Sequence, residues 1–375
     1  MNKIEMVDLK GQYKRIKQEV DTALIACVES AEFINGKLVQ DFAGKLGAYT
    51  GAKHVIPCAN GTDALQIAMM ALDLKPGDEV IVPAFTYVAT AEVIALLGLT
   101  PVWVEVNPDT FNIDYDKLEA AITARTKAIV PVHLYGQCAD MERIMTIAAK
   151  HNIYVIEDTA QAIGAEYTFS DGSRKMAGTI GTIGCTSFFP SKNLGCYGDG
   201  GAMFTNDDRL GKYIKMIANH GQEKKYHHDT IGVNSRLDTV QAAVLDVKLK
   251  YLDQYSGARS AAAAIYDELL AGVSQIQVPT RSPQSTHVFH QYTLKVLGGK
   301  RDELKKYLES KGIPTMIYYP IPMHLQKAYY SDACPKGSFP IAESLTENVL
   351  SLPMHTELSR ETQEYIVNEI KTFYN

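Results

Sequence analysis

One lysine in this chain stands in surroundings that could make it a nucleophile. In Ser187-Phe188-Phe189-Pro190-Ser191-Lys192-Asn193-Leu194-Gly195, followed by Cys196-Tyr197-Gly198-Asp199-Gly200-Gly201, it sits among aromatics, small residues and glycines. Partial burial disfavours the ammonium form, lowers the pKa and leaves an amine able to attack a carbonyl carbon. A solvated lysine on a surface turn is the plainer alternative, but it needs no such neighbourhood. A second segment, Cys58-Ala59-Asn60-Gly61-Thr62-Asp63-Ala64-Leu65-Gln66, runs into a strongly helical stretch ending near Leu74. Gly61 and Thr62 fall at the helix start, where free N–H groups and the positive dipole end suit an anion, unless Thr62 or Asp63 is only a helix cap. A third, Glu157-Asp158-Thr159-Ala160-Gln161, follows the apolar run at 153–156. Carboxylates just past a buried parallel strand face the crevice where α/β sheets hold ligands, with a cap for the next helix as the alternative.

Together the three segments supply what a pyridoxal phosphate site requires. The lysine amine links to the cofactor aldehyde, the acid keeps the pyridine nitrogen protonated, and the helix N-terminus binds the phosphate. His133, His220, His227 and His228 match no zinc spacing, and 223–228 reads as a basic solvated loop, so no metal is assigned.

The elements that must position these residues alternate. Short apolar strands are predicted at 80–83, 101–106, 128–132, 153–156, 181–189 and 200–205, with a helix ending at Leu97-Gly98 and an amphipathic helix over about 141–150. Continuous apolar strands separated by helices imply a mostly parallel sheet covered on both faces. Past residue 245 the pattern changes. A long helical stretch over 239–270 precedes an isolated strand at 291–296, a helix at 301–311, a strand at 314–319 and closing helices. The reading is a large α/β domain over 1–245 and a smaller α+β domain over 246–375, with no linker or internal repeat.

At 375 residues the chain is long enough for a full core, and 46% hydrophobic with 21% charged residues excludes a disordered or fibrous protein. A net charge of −6 argues against nucleic acid as partner. No apolar stretch approaches a membrane span, and Met1-Asn2-Lys3-Ile4-Glu5-Met6-Val7-Asp8 carries acids where a signal peptide needs an apolar core. Six cysteines without a C-x-x-C pair fit a reducing compartment, so a cytoplasmic location is expected.

Asn60-Gly61-Thr62-Asp63-Ala64-Leu65, Pro83-Ala84-Phe85-Thr86-Tyr87-Val88-Ala89-Thr90, Glu157-Asp158-Thr159-Ala160-Gln161, the 187–192 run and Gly232-Val233-Asn234-Ser235-Arg236-Leu237-Asp238 occur in an order that resembles the DegT-type nucleotide-sugar aminotransferases. The likeness covers the chain from residue 6 onward. It implies the aspartate-aminotransferase fold, pyridoxal phosphate fold type I, with a mostly parallel seven-stranded sheet. It also implies roles. Lys192 would be the catalytic lysine, Asp158 the partner of the pyridine nitrogen, Gln161 the contact of the ring hydroxyl and Tyr87 the stacking ring. Gly61, Thr62 and Ser187 would hold the phosphate, completed by Asn234 from the neighbouring subunit of a homodimer with shared active sites.

Within the family, His133-Leu134-Tyr135-Gly136-Gln137-Cys138-Ala139-Asp140, His220-Gly221-Gln222-Glu223 with Tyr226-His227-His228, and 234–239 resemble the members that aminate the C3 ketone of a UDP-linked 2-acetamido-3-oxo-hexuronic acid for bacterial surface polysaccharide, including O-antigen and lipopolysaccharide. The likeness implies L-glutamate as amino donor and Arg236 as clamp of the sugar carboxylate, against a pairing of Arg236 with Asp238 or a helix end. Tyr318, Tyr319 and His324 would border the sugar nucleotide. Tyr318 stands where that subgroup has histidine, and Met323-His324-Leu325-Gln326 looks more like relatives acting on dTDP-3-oxo-6-deoxyhexoses. Family dehydratases carry histidine in place of the lysine, so Lys192 points to transamination. A catalytically silent regulator of the same fold is the alternative of another class.

Overall fold

The computed structural model of the chain describes residues 3–375. Helices α1 (Leu9–Ser30) and α2 (Lys37–Thr50) lead into an alternating run: β1 (His54–Cys58), α3 (Gly61–Ala71), β2 (Glu79–Pro83), α4 (Ala89–Leu96), β3 (Thr100–Val104), the short α5 (Tyr115–Leu118), β4 (Thr126–Ile129), α6 (Met141–His151) and β5 (Tyr154–Asp158). A hairpin of β6 (Glu166–Thr168) and β7 (Arg174–Met176) precedes β8 (Ile183–Ser187) and β9 (Gly201–Thr205). After α7 (Asp208–Ala218), the segment expected to be a basic loop forms an exposed hairpin, β10 (Gln222–Lys224) and β11 (His227–His228), and α8 (Thr239–Leu249) follows.

Seven strands form one sheet in the order β1-β9-β8-β5-β4-β2-β3. Only β9 runs against its neighbours, so the C-terminal ends of all the other strands open on one edge. The sequence dictates coverage on both faces because successive strand side chains point to opposite sides. Val80 and Val82, Ala128 and Val130, and Ile156 face the core that holds α3, whereas Ile81, Ile129 and Val155 face the core around Ile144 of α6. Helix α3 is apolar almost all round, with Ala64, Leu65, Ile67, Ala68, Met69 and Ala71 buried, because it lies inside its core rather than on its surface.

The helical stretch expected over 239–270 is two helices, α8 and α9 (Leu252–Leu270), separated at Lys250-Tyr251. The break has a packing cause: α8 lies on α1 and α2, while α9 lies on α12 (Arg360–Tyr374), so the chain must change direction between them. Position 245, expected as the domain boundary, lies inside α8. A separate core gathers Tyr266 of α9, Leu294 of β13 (Tyr292–Val296), Leu304 of α10 (Arg301–Ser310), Leu350 of β14 (Val349–Leu352) and Ile366 of α12. The strand at 291–296 is not isolated: β13 pairs antiparallel with β12 (Ile276–Gln277) and β14. No strand forms at 314–319, where only Met316 bridges to Ser351 and the flanking Pro314 and Pro320 lack the N–H a ladder needs. Among the described residues no helix is long and apolar enough to cross a membrane.

Helix α11 (Pro340–Asn348) returns from the C-terminal part to the main core through Ala342 and Leu345. Its N-terminal amides are held by the buried Glu105, which accepts from Ile341 N–H and Ala342 N–H at 2.9 Å each. Removing the carboxylate leaves both donors of a helix N-terminus without their acceptor. Glu105→Ala is expected to lower unfolding stability by about 2 kcal/mol in a urea titration; a loss under about 0.5 kcal/mol would contradict this anchoring role.

Candidate active site

The end of β9 decides how the phosphate cradle can close. Gly201 pairs with Cys58 on one side and Ser187 on the other. A Cβ on Gly201 would lie 2.5 Å from the Asn60 carbonyl, so glycine there lets the turn after β1 fold over the strand end. A Cβ on Gly61 would in turn lie 2.7 Å from Ser187 Cβ. The cap of α3 is Asn60, whose side chain accepts the Asp63 N–H at 2.8 Å. Neither Thr62 nor Asp63 is the cap, and the half-buried Thr62 lies in the first turn beside Gly61. The result is a helix N-terminus with the Ser187 side chain against it and glycine at the two positions where a side chain would block the approach, which fits a phosphate.

Asp158 is the last residue of β5 and is 6% exposed. Thr90 Oγ1 donates to its Oδ2 at 3.0 Å and the Ala160 N–H to its Oδ1 at 3.1 Å. Burial pushes the Asp158 carboxyl up, while the Ala160 amide, the positive charge of Lys192 and the Thr90 hydroxyl pull it back. Strand alternation sends the preceding Glu157 the other way. It is fully buried and accepts the N–H groups of Gly178, Ile180 and Gly181 at 2.9, 2.7 and 2.6 Å, with His133 Nε2 at 2.9 Å. His133 Nδ1 accepts the Ala139 N–H at 3.1 Å, so the ring proton is on Nε2 and a neutral imidazole donates to Glu157. Of the adjacent acids, then, one pins a loop and the other faces the site.

Lys192 sits half-buried on the turn after β8. Burial pushes its amine down to about 8, against the opposing pull of Asp158. The two groups are thus near enough for each to act on the other's charge. Gln161, three residues after Asp158, is held at both ends: its Oε1 accepts the Tyr135 N–H at 2.7 Å and its Nε2 donates to the Tyr319 hydroxyl at 3.0 Å. Tyr87 is 54% exposed, with its ring centre 6.0 Å from that of Tyr319, and Tyr318 adjoins Tyr319 at 6.1 Å. The Tyr135 hydroxyl donates to the Tyr318 carbonyl, tying this aromatic wall to the strand edge.

Not all the expected residues gather here. Asn234 is exposed and bridges Asn219, while the half-buried Arg236 lines a cavity of about 1330 Å³ with Tyr213 and Glu223. Their neighbour Ser235 accepts the Ala59 N–H at 3.1 Å, which seats the segment behind the β1–α3 turn. Among the described residues no carboxylate lies within ion-pair distance of Arg236, so the alternative pairing with Asp238 does not form. His324 is fully buried, with Nε2 3.0 Å from Glu343 and its ring against Phe339, and does not line the space around Lys192. No group of three or more His, Cys, Asp or Glu side chains suited to a metal occurs among the described residues. Thr90, His133 and Tyr135 are site supports that sequence reasoning left without a role; Thr90 lay inside the 83–90 motif, one residue into a helix.

An amine facing a buried carboxylate, both beside a glycine-lined anion cradle at the open edge of this sheet, fits pyridoxal phosphate and defines a fold-type-I pyridoxal phosphate enzyme. The chain belongs to the DegT/DnrJ/EryC1/StrS aminotransferase family, whose profile matches residues 14–371. It is a pyridoxal-phosphate-dependent sugar aminotransferase with the aspartate-aminotransferase fold. It is 48% identical over 355 residues to UDP-2-acetamido-2-deoxy-3-oxo-D-glucuronate aminotransferase of Pseudomonas aeruginosa, covering 95% of this chain and 96% of the relative. It is equally 48% identical over 373 residues to a Geobacillus stearothermophilus protein named pleiotropic regulatory protein, covering 99% and 98%. Streptomyces venezuelae DesV, solved in complex with a ketimine intermediate, superposes with a TM-score of 0.95 at 40% identity, covering 100% of this chain and 99% of that one. NtdA of Bacillus subtilis, solved with bound cofactor PMP, gives 0.87 at 32% identity, covering 96% and 82%.

The lowered pKa of Lys192 fixes a pH dependence. Only the free amine attacks an aldehyde, so attachment of pyridoxal phosphate to apo-protein is expected to accelerate as pH rises through about 8 and to level off above it, followed by absorbance. A rise centred near 10.5, where an ordinary lysine titrates, would contradict the buried setting.

Proposed function

We propose that the protein transfers the amino group of L-glutamate to the C3 ketone of a UDP-linked 2-acetamido-3-oxo-hexuronic acid, yielding a 3-amino sugar nucleotide for surface-polysaccharide assembly of the O-antigen or lipopolysaccharide kind. The observation that carries this reading is the 48% identity to the Pseudomonas enzyme. The half-buried Arg236, a guanidinium without a carboxylate partner among the described residues on the wall of a large cavity, is the candidate contact for the sugar acid, although its Asn-Ser-Arg-Leu-Asp run also resembles relatives acting on neutral 6-deoxy sugars. A planar fork in that state suits the carboxylate of a uronic acid. The likeness to the Pseudomonas enzyme supports the same sugar, and a 44% identical Acidithiobacillus ferrooxidans relative is named for a UDP-linked 3-dehydro-glucosamine.

Bound pyridoxal phosphate supplies an electron-accepting ring that stabilises the charge left when a proton leaves the carbon beside the reacting nitrogen. In our reading the chain's own residues do the rest. Gly61, Thr62 and Ser187 seat the phosphate, Asp158 keeps the ring nitrogen protonated, Gln161 orients the ring through its hydroxyl, and Tyr87 covers one face. Lys192 Nζ would be the group that holds the cofactor aldehyde, and as a free base it would take the proton from the glutamate α-carbon. It runs the reverse transfer when the sugar ketone is the partner, so a single amine is base and acid in turn. Asn234 and Arg236 act on the neighbouring subunit's cofactor and substrate in a homodimer, which is consistent with the exposure of Asn234. Tyr318 and Tyr319 border the sugar. The large and small domains, divided near residue 245, flank the site.

A second reading, amination of a dTDP-3-oxo-6-deoxyhexose, is favoured by tyrosine at position 318 and by the 44% identical Aneurinibacillus thermoaerophilus relative named for a dTDP-3-amino-3,6-dideoxy-galactose.

Lys192→Ala is expected to fold and to abolish transamination; full turnover without an added amine would overturn the assignment of the base. Arg236→Ala should lower kcat/KM for the 3-oxo-uronate by roughly 30- to 100-fold, the worth of a charged bidentate contact, and leave a neutral 3-oxo-6-deoxy sugar within about twofold. Equal losses on both sugars, or none on the uronate, would shift the reading to the second substrate.

A further inference from the structure

The turn that carries Lys192 is held from below by a buried cation that no carboxylate neutralises. Lys248, on α8, is 1% exposed, yet its Nζ donates to the Gly195 carbonyl at 2.6 Å and otherwise lies 5.5 Å over the Tyr197 ring. No carboxylate stands within ion-pair distance of it among the described residues. A methionine or leucine would fill the same space without burying charge, so the ammonium is a costly choice for mere packing.

What it holds is specific. A Cβ on Gly195 would lie 2.4 Å from the Pro190 carbonyl oxygen, so the turn from Pro190 to Gly195 closes on itself with Lys192 in its middle. Lys192 N–H donates to the Phe189 carbonyl at 2.8 Å within this turn. Directly after Lys192, Asn193 Nδ2 donates to the Val288 carbonyl at 2.8 Å. Further along the same segment the Gly195 carbonyl meets Lys248 of α8, and the Tyr197 N–H meets Gln241 Oε1 at 2.8 Å. Gln241 and Lys248 lie two turns apart on α8, so a single helix face grips the segment at two points.

We propose that Lys248 is a positioning residue for transamination: its hydrogen bond to Gly195 fixes the turn that carries Lys192, and with it the placement of the Lys192 amine. The proposal rests on Lys192 being the catalytic amine. A displacement of about 1 Å at such a group is enough to cost one to two decades in rate.

The test compares Lys248→Met, Lys248→Arg and Lys248→Gln with wild type. The readouts are the rate at which apo-protein attaches pyridoxal phosphate, trapped by borohydride and located by mass spectrometry, the single-turnover rate with L-glutamate, the glutamate concentration for half-saturation, and the melting temperature. The Met and Gln variants, which lose the reach or the donor, are expected to slow attachment and the glutamate half-reaction about 10-fold or more, with half-saturation within about twofold. Arg, which keeps a long donor, is expected to recover most of the rate. A drop in melting temperature with wild-type attachment and turnover would overturn the proposal. If the Met variant does not fold, Gln and Arg decide it, and equal rates in those two also overturn it. Wild-type attachment at a lysine other than Lys192 would instead refute the underlying assignment, which keeps the two failures apart.

Discussion

The structure turns on a carboxylate placed where it is poorly solvated. Asp158 closes a strand that is buried on both faces, and what it retains is the Thr90 hydroxyl, one backbone amide and the amine of Lys192 across the space. Burial alone would favour the neutral acid. A cation brought against it relieves that cost, which is the setting that the proposed pairing with a protonated ring nitrogen calls for. Chemistry that draws electrons into a pyridine ring needs that condition. The carboxylate also acts on Lys192, holding its pKa up while burial pushes it down, so each group sets the working state of the other.

Geometry follows from one reversed strand. Because β9 runs against β1 and β8, the turn after β1 and the turn after β8 meet over its first residue, and Gly201 and Gly61 are the positions where a side chain would block that meeting. Glu157 does its work on the opposite face of β5, where it holds 178–181 and His133 through hydrogen bonds, while Asp158 points the other way. Glu105 performs a comparable task at α11, tying the C-terminal part to the core that carries the site.

Much of this was legible in the residues because the signals are local. A strand followed at once by an acid, a glycine at a helix start and a lysine among glycines each lie within a few positions, and the alternation of strands and helices gave the parallel sheet. The seven-strand count and the residue roles came from the family resemblance instead. What was hidden depends on partners far along the chain. Thr90 reads as an ordinary helix residue until Asp158, 68 positions away, is placed beside it. His324 resembles a cleft residue, but its ring is taken up by Glu343, 19 positions on. The break at Lys250-Tyr251 left no mark because helical periodicity continues through it, and only the different partners of α8 and α9 require it. The apolar run before Tyr318 carries strand-like residues, but between Pro314 and Pro320 only Met316 finds a bridge, to Ser351.

The nitrogen-15 chemical shift of the bound cofactor's ring nitrogen, followed against pH in wild type and in Asp158→Asn, tests the central claim most directly. The account predicts a ring nitrogen that stays protonated in wild type well above the pH at which free pyridoxal phosphate loses that proton, and that loses it at lower pH in the Asn variant. A wild-type nitrogen that titrates as it does in water, or one indifferent to Asp158→Asn, would contradict it.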